Sequence, residues 1–144
     1  MTPAPESGSP IVPGIRYPDA NTAVKALMEV LGFEEHSIHR DEHGNVQHAE
    51  LRHGAGIIMV APALDTPWGR LMKLPNEIGG FGTQGIYLVV DDADAVYQRA
   101  KAAGWDILID IKDQPYGGRD FTCRDPGGHI WSAGTYNPWA LPGS

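Results

Sequence analysis

The chain has 144 residues, 42% of them hydrophobic and 20% charged, enough for one compact domain or two very small modules with a packed core. Eleven basic residues face eighteen acidic ones, a net charge of −7, which argues against a nucleic-acid partner because phosphate backbones demand a cationic surplus. No window approaches the roughly 20 apolar residues of a membrane span, and the single cysteine, Cys123, has no internal disulfide partner, so a cytoplasmic protein without a membrane partner is expected.

Residues 1–10 (MTPAPESGSP) offer almost nothing to bury and carry neither a basic segment nor an apolar run; they read as a mobile tail. Residues 11–17 read as a strand, Asp19 or Asn21 as a helix N-cap, and residues 20–31 as a helix with Ala23, Leu27, Val30 and Leu31 on one face, closed by Gly32. An extended stretch over 33–39 leads through the turn Asp41-Glu42-His43-Gly44 to strands over 46–52 and 57–61, joined at His53-Gly54-Ala55-Gly56. The order is βαβββ, and residues 11–61 make a first module.

Residues 84–136 repeat it. A strand over 85–90, an acidic cap at Asp91 or Asp92, a helix over 95–103, Gly104 and strands over 105–111, 119–124 and 129–133 follow in the same order. At an offset of 72 residues, nine positions between 19–61 and 91–133 are identical, among them Asp19/Asp91, Gly32/Gly104 and Gly56/Gly128. Chance gives roughly three in such a window, so the phase of the secondary-structure signals carries the repeat more than the identities do. Residues 62–83, rich in proline and glycine but carrying Trp68, Leu71, Met72 and Phe81, form a linker long enough to cross between modules and cover a pocket; residues 137–144 read as a C-terminal tail.

The paired modules, the run YGGRDFTCRDPGGHIWSAGTY at 116–136 and PGIRYPDA at 13–20 resemble the glyoxalase, bleomycin-resistance and extradiol-dioxygenase superfamily, also called vicinal oxygen chelate proteins. The resemblance covers roughly residues 11–136. It implies an α+β fold in which two βαβββ modules form a U-shaped, partly open eight-stranded barrel with helices outside. It also implies a site in the concavity, commonly completed by a partner subunit, so a homodimer is expected. Its metal-ligand places, early on the first strand and late on the last strand of each module, fall at Val12, Gln84, Val60 and Ser132. Valine cannot ligate, and Gln84 and Ser132 are poor neutral donors where zinc, iron or nickel want imidazole, thiolate or carboxylate. No metal, other cofactor or catalytic residue is therefore expected; the alternative is an enzyme with metal at displaced positions such as Gln84, Glu50 and His48.

If two-residue turns at Gly54-Ala55 and Pro126-Gly127 close the hairpins, Val60 faces Ala49, Ile58 faces Leu51, Ser132 faces Phe121 and Ile130 faces Cys123. Carried onto the ligand-bearing face, this register lines a mostly apolar cup with Arg16, Leu51, Val60, Ile86, Phe121 and Cys123, beside Gln84, Ser132 and Arg119. Arg16 and Arg119 either clamp a carboxylate or phosphate, or pair with neighbours such as Asp19 and Asp120 and tie the sheet. Trp68 and Tyr116 are candidates to stack on a flat ligand, and Trp131 alternates to the helix side. His36, His39 and His43 read as a solvated region, His48 and Glu50 as an outer sheet face, His53 and His129 as surface groups, and Cys123 as a buried, inert thiol. The expected partner is a small molecule. Net charge favours a cation at long range, and two arginines in the cup oppose one.

Overall fold

The computed structural model describes residues 8–140; the outer parts of both expected tails, 1–7 and 141–144, lie outside the described residues. The first module is β1 (Gly14–Tyr17), α1 (Ala20–Leu31), β2 (Glu34–Arg40), β3 (Val46–His53) and β4 (Gly56–Pro62). The second is β5 (Ile86–Val89), α2 (Ala93–Ala102), β6 (Asp106–Asp113), β7 (Arg119–Arg124) and β8 (Ile130–Gly134). Each makes one four-stranded mixed sheet, in the orders β1-β4-β3-β2 and β5-β8-β7-β6, with the first strand of each module parallel to the last. The two sheets do not close on one another, so the α+β architecture is partly open. No helix among the described residues is long and apolar enough to cross a membrane.

Both helices begin where an aspartate satisfies a free backbone N–H. Asp19 Oδ1 accepts from Thr22 N at 3.1 Å, and Asp92 Oδ1 from Ala95 N at 3.1 Å. Of the alternatives Asn21 and Asp91, neither caps; Asn21 instead accepts from Val46 N at 2.7 Å and ties α1 to β3. The caps stand 73 residues apart, yet Gly32 and Gly104, both left-handed after their helices, stand 72 apart, so the second helical unit is one residue shorter. The ungapped repeat is thus a sequence alignment that the structure threads with two compensating one-residue shifts.

The second shift lies in the last hairpin. In the first module the pairs are Ala49–Val60, Leu51–Ile58 and His53–Gly56, the expected register around a two-residue turn. In the second, Asp125 N donates to His129 O, a three-residue loop Pro126-Gly127-Gly128 intervenes, and the pairs become Phe121–Ala133, Thr122–Ser132 and Cys123–Trp131. Gly128 adopts φ +91°, the left-handed residue that a three-residue hairpin requires. This corrects the expected pairing of Phe121 with Ser132 and Cys123 with Ile130. A slip of one residue moves a strand's side chains to the other face of the sheet.

One core joins the modules. Leu27 and Leu31 of α1, Leu51 and Val60 of the first sheet, and Phe121 and Trp131 of the second are all buried in it. Phe33 meets Trp131 edge-on with centroids 5.7 Å apart, and Arg99 of α2 donates to Val30 O of α1 at 3.0 Å. Each sheet therefore has a helix-covered face, apolar because α1 and α2 must bury their stripes, and an opposite open face.

Candidate functional site

The site grows from β1. Alternation along this strand sends Ile15 and Tyr17 into the core and leaves Gly14 and Arg16 on the open face, in register with Met59 and Ala61 of β4. Tyr17 reaches the other module, where its hydroxyl donates to the carboxylate of Asp125. Trp131 Nε1 donates to the same oxygen, Oδ2, at 2.9 Å, while Oδ1 accepts from Gly127 N at 3.0 Å and His129 N at 2.9 Å. Asp125 is the one buried charged residue among those described, and this full set of donors makes its burial tolerable. Burial and the adjacent Asp125 charge push the Tyr17 hydroxyl well above the usual phenol range, so it stays a donor. Gly127 allows the approach, since a Cβ there would lie 2.3 Å from the Tyr17 ring. His129 stacks edge-on against Tyr17 with centroids 4.8 Å apart and donates through Nε2 to Arg16 O at 2.7 Å.

Beside this clamp lies a cavity of about 510 Å³, with Gly14 and Arg16 on one wall, His129 and Ile130 on another, Gln84 to Ile86 at the entry to β5, and linker residues from Met72 to Phe81 across it. The linker is anchored by arginines rather than by strand pairing. Arg16 donates to Met72 O at 3.3 Å and Leu64 O at 3.4 Å, and Arg124 donates to Gly80 O at 2.7 Å and Gly128 O at 2.9 Å. Two short 3₁₀ turns, Gly69–Leu71 and Pro75–Ile78, shape it. Ile78 and Phe81 leave apolar surface exposed at the cavity rim.

Of the residues singled out from sequence, Arg16, Gln84 and Ile86 line this cavity, and the Trp68 ring lies against Gly14, within 3.4 Å of a Cβ built there. Leu51, Val60, Phe121 and Cys123 do not face it; each has 0% exposure in the core beneath the helices. Both pairs lie on the helix side because that is the apolar face α1 and α2 cover; the three-residue hairpin changes the β8 partners, setting Ala133 and Trp131 rather than Ser132 and Ile130 opposite Phe121 and Cys123. Arg119 also turns toward α2, where its Nε donates to Asp94 at 3.0 Å and its Nη1 approaches Asp113 at 3.5 Å, so the ion-pair alternative holds with partners other than Asp19 and Asp120. Ser132 is on the open face, its Oγ 2.7 Å from Thr122 Oγ1. Tyr116, 62% exposed, sits in the β6–β7 turn and donates to Asp120 at 3.1 Å.

His53 and His129, expected as surface groups, are half-buried. His53 packs edge-on against Phe33 at 5.6 Å, and burial pushes its imidazole below the usual range against the opposing pull of Asp91 and Glu34. Lys73, Phe81 and His129 went unrecognised as site residues. The only hint in the sequence was a 62–83 linker too apolar for its length. Burial, then the charge of Asp125, pushes the Cys123 thiol up to about 12, so at neutral pH no thiolate is present for nucleophilic attack.

The donor set does not fit the metal of the implied fold family. Open-face positions on the first and last strands are Gly14, Arg16, Met59 and Ala61 in one module and Tyr87 and Ser132 in the other, none an imidazole, thiolate or carboxylate. Val12 precedes β1 and Val60 is in the core. Among the described residues no three His, Cys, Asp or Glu side chains form a metal-holding group; His48 and Glu50, 3.1 Å apart, are a pair that does not line the cavity where Gln84 lies.

Residues 11–133 match the family model of the Glyoxalase/Bleomycin resistance protein/Dioxygenase superfamily. The crystal structure of TioX from Micromonospora sp. ML1 is similar with a TM-score of 0.70 at 32% identity, over 90% of this chain and 100% of that one. The fosfomycin resistance protein FosX from Mesorhizobium loti shares the fold, with a TM-score of 0.61 at 14% identity, over 90% of this chain and 93% of that one. An uncharacterized protein of Mycobacterium bovis is 35% identical over 91 residues, which are 63% of this chain and 59% of that protein. The match thus spans less than two thirds of the length of this curated relative. The chain belongs to the Glyoxalase/Bleomycin resistance protein/Dioxygenase superfamily.

Proposed function

We propose that the protein binds a small organic molecule, a drug or metabolite, in the cavity beneath the linker, without a metal and without transforming it, as a cytoplasmic homodimer. The observation that carries the reading is the cavity itself. Its volume of about 510 Å³ falls within the range of small-molecule sites, and apolar walls from Ile11, Ile78, Phe81 and Ile130 surround a few polar groups. Sequestration needs affinity and orientation only, which such walls and groups supply. The donor set on the open faces supports metal independence for the chemical reason given above. Exposed Met59, Tyr87 and Ile109 on the open faces support a second copy covering them.

Native mass spectrometry of the untagged protein as purified, read for metal, subunit number and retained small molecules, tests the metal-free and homodimer parts directly and can capture a ligand. A metal-free dimer, with or without a retained organic ligand, is expected. One stoichiometric divalent ion per subunit would overturn the metal-independent reading and turn attention to His48 and Glu50.

A further inference from the structure

The cavity has a charge pattern opposite to that of the chain around it. The protein carries a net charge of −7, yet the lining holds two permanent cations, Arg16 and Lys73, together with His129, and no Asp or Glu among the described residues. Glu77 of the linker accepts from Leu74 N at 2.8 Å and is not among the residues that line the cavity. Arg16 meets backbone carbonyls only, at 3.3 and 3.4 Å, and among the described residues no carboxylate lies within ion-pairing distance of it. Arg52, Arg70 and Arg119 each hold a carboxylate, while Arg40, Arg99 and Arg124 also donate to backbone carbonyls; of these arginines Arg16 alone lines the cavity. A guanidinium has five N–H donors, so Arg16 keeps most of its fork available while two of its bonds hold the linker in place. Arg119, expected in the same cup, is held instead by Asp94 of α2 and Asp113 of β6, which leaves Arg16 as the one guanidinium among the residues that line the cavity.

Resting on the binding function proposed above, we infer that the cavity selects an organic anion: a carboxylate or sulfonate directed at Arg16 and Lys73, on an apolar body that fills the space between Ile78, Phe81 and Ile130. The two side chains come from different segments, β1 and the linker, so an anion between them bridges the linker to the sheet.

The test compares two probes that differ in one group, 8-anilinonaphthalene-1-sulfonate and the uncharged N-phenyl-1-naphthylamine, titrated against the full chain by fluorescence. The sulfonate is expected to bind roughly ten-fold or more tightly than its neutral analogue, the scale of one hydrogen-bonded charge pair. Lys73→Gln and Arg16→Gln should each lower that ratio toward one, the sulfonate losing more affinity than the neutral probe, with any loosening of the linker in Arg16→Gln weakening both probes alike. Ile130→Trp, which fills the cavity, should weaken both probes and so places them there. Equal affinities, or a ratio that neither variant moves, overturn the anion inference and leave the cavity as a neutral binding site. Failure of both probes to bind, or binding that Ile130→Trp does not change, overturns the binding function together with it.

Discussion

The two modules share a strand order and a capping scheme, and differ in the hairpin that ends each of them. The β3–β4 turn closes around two residues, Gly54 and Ala55, and presents His53 toward the second module near Asp91. The β7–β8 turn takes three and uses the added length to bury Asp125, which receives the hydroxyl of Tyr17 from β1. Among the contacts between modules, the second module's hairpin supplies a fully satisfied carboxylate and the first module's a half-buried imidazole. The comparison teaches that one inserted residue decides both which strand face becomes core and which module contact carries the polar lock.

The largest test of that asymmetry is Asp125→Ala. It strips four donors of their acceptor inside the molecule, and a loss of about 3–5 kcal/mol is expected in urea denaturation, by the usual cost of leaving buried polar groups unpaired. A change below about 1 kcal/mol would show that the Asp125 carboxylate contributes little to holding the modules together. Tyr17→Phe removes one donor and keeps the ring, and should cost about 1–3 kcal/mol while the cavity still binds the neutral probe. The caps probe what the modules share: Asp19→Ala and Asp92→Ala should each cost about 1 kcal/mol, and unequal losses would show that one helix is secured mainly by its packing.

The smallest effect concerns His53 and pH. Its imidazole is held below the usual range, so in the window between its folded value and the ordinary value near 6.5 the unfolded chain binds more protons. Stability is then complete above that ordinary value and declines as pH falls through the folded one. Thermal unfolding of the parent chain and His53→Gln across that window should show the variant losing less stability on acidification. Parallel curves would remove His53 from the contact's energetics.

The modules, their caps and their turns were legible because the signals are local. Aspartate before an apolar helix and glycine after it satisfy or release backbone groups within a few residues, wherever the segment later packs. The first hairpin's register was legible for the same reason. The second was not, because Asp125-Pro126-Gly127-Gly128 accommodates a two- or a three-residue loop, and Phe121-Thr122-Cys123 against Trp131-Ser132-Ala133 gives only a weak contrast between faces. Thr122 and Cys123 are both small enough for either side. The candidate site was legible in Arg16, Gln84 and Ile86, which border the linker, and illegible in Leu51, Val60, Phe121 and Cys123, whose facing depends on where α1 and α2 dock.

What the amino-acid order determined by itself was the pair of βαβββ units, the boundaries of the first helix to the residue and of the second to within two, and the place of the linker between them, all consequences of side-chain chemistry and short-range hydrogen bonding. What only the tertiary structure decided was which face of each sheet the helices cover, the burial of Asp125 between Tyr17 and Trp131, the withdrawal of Arg119 to Asp94, and the placing of Arg16 and Lys73 around one cavity. These join residues from tens to more than a hundred positions apart, and contacts at such separation are set by the packing of whole elements, which no local pattern encodes.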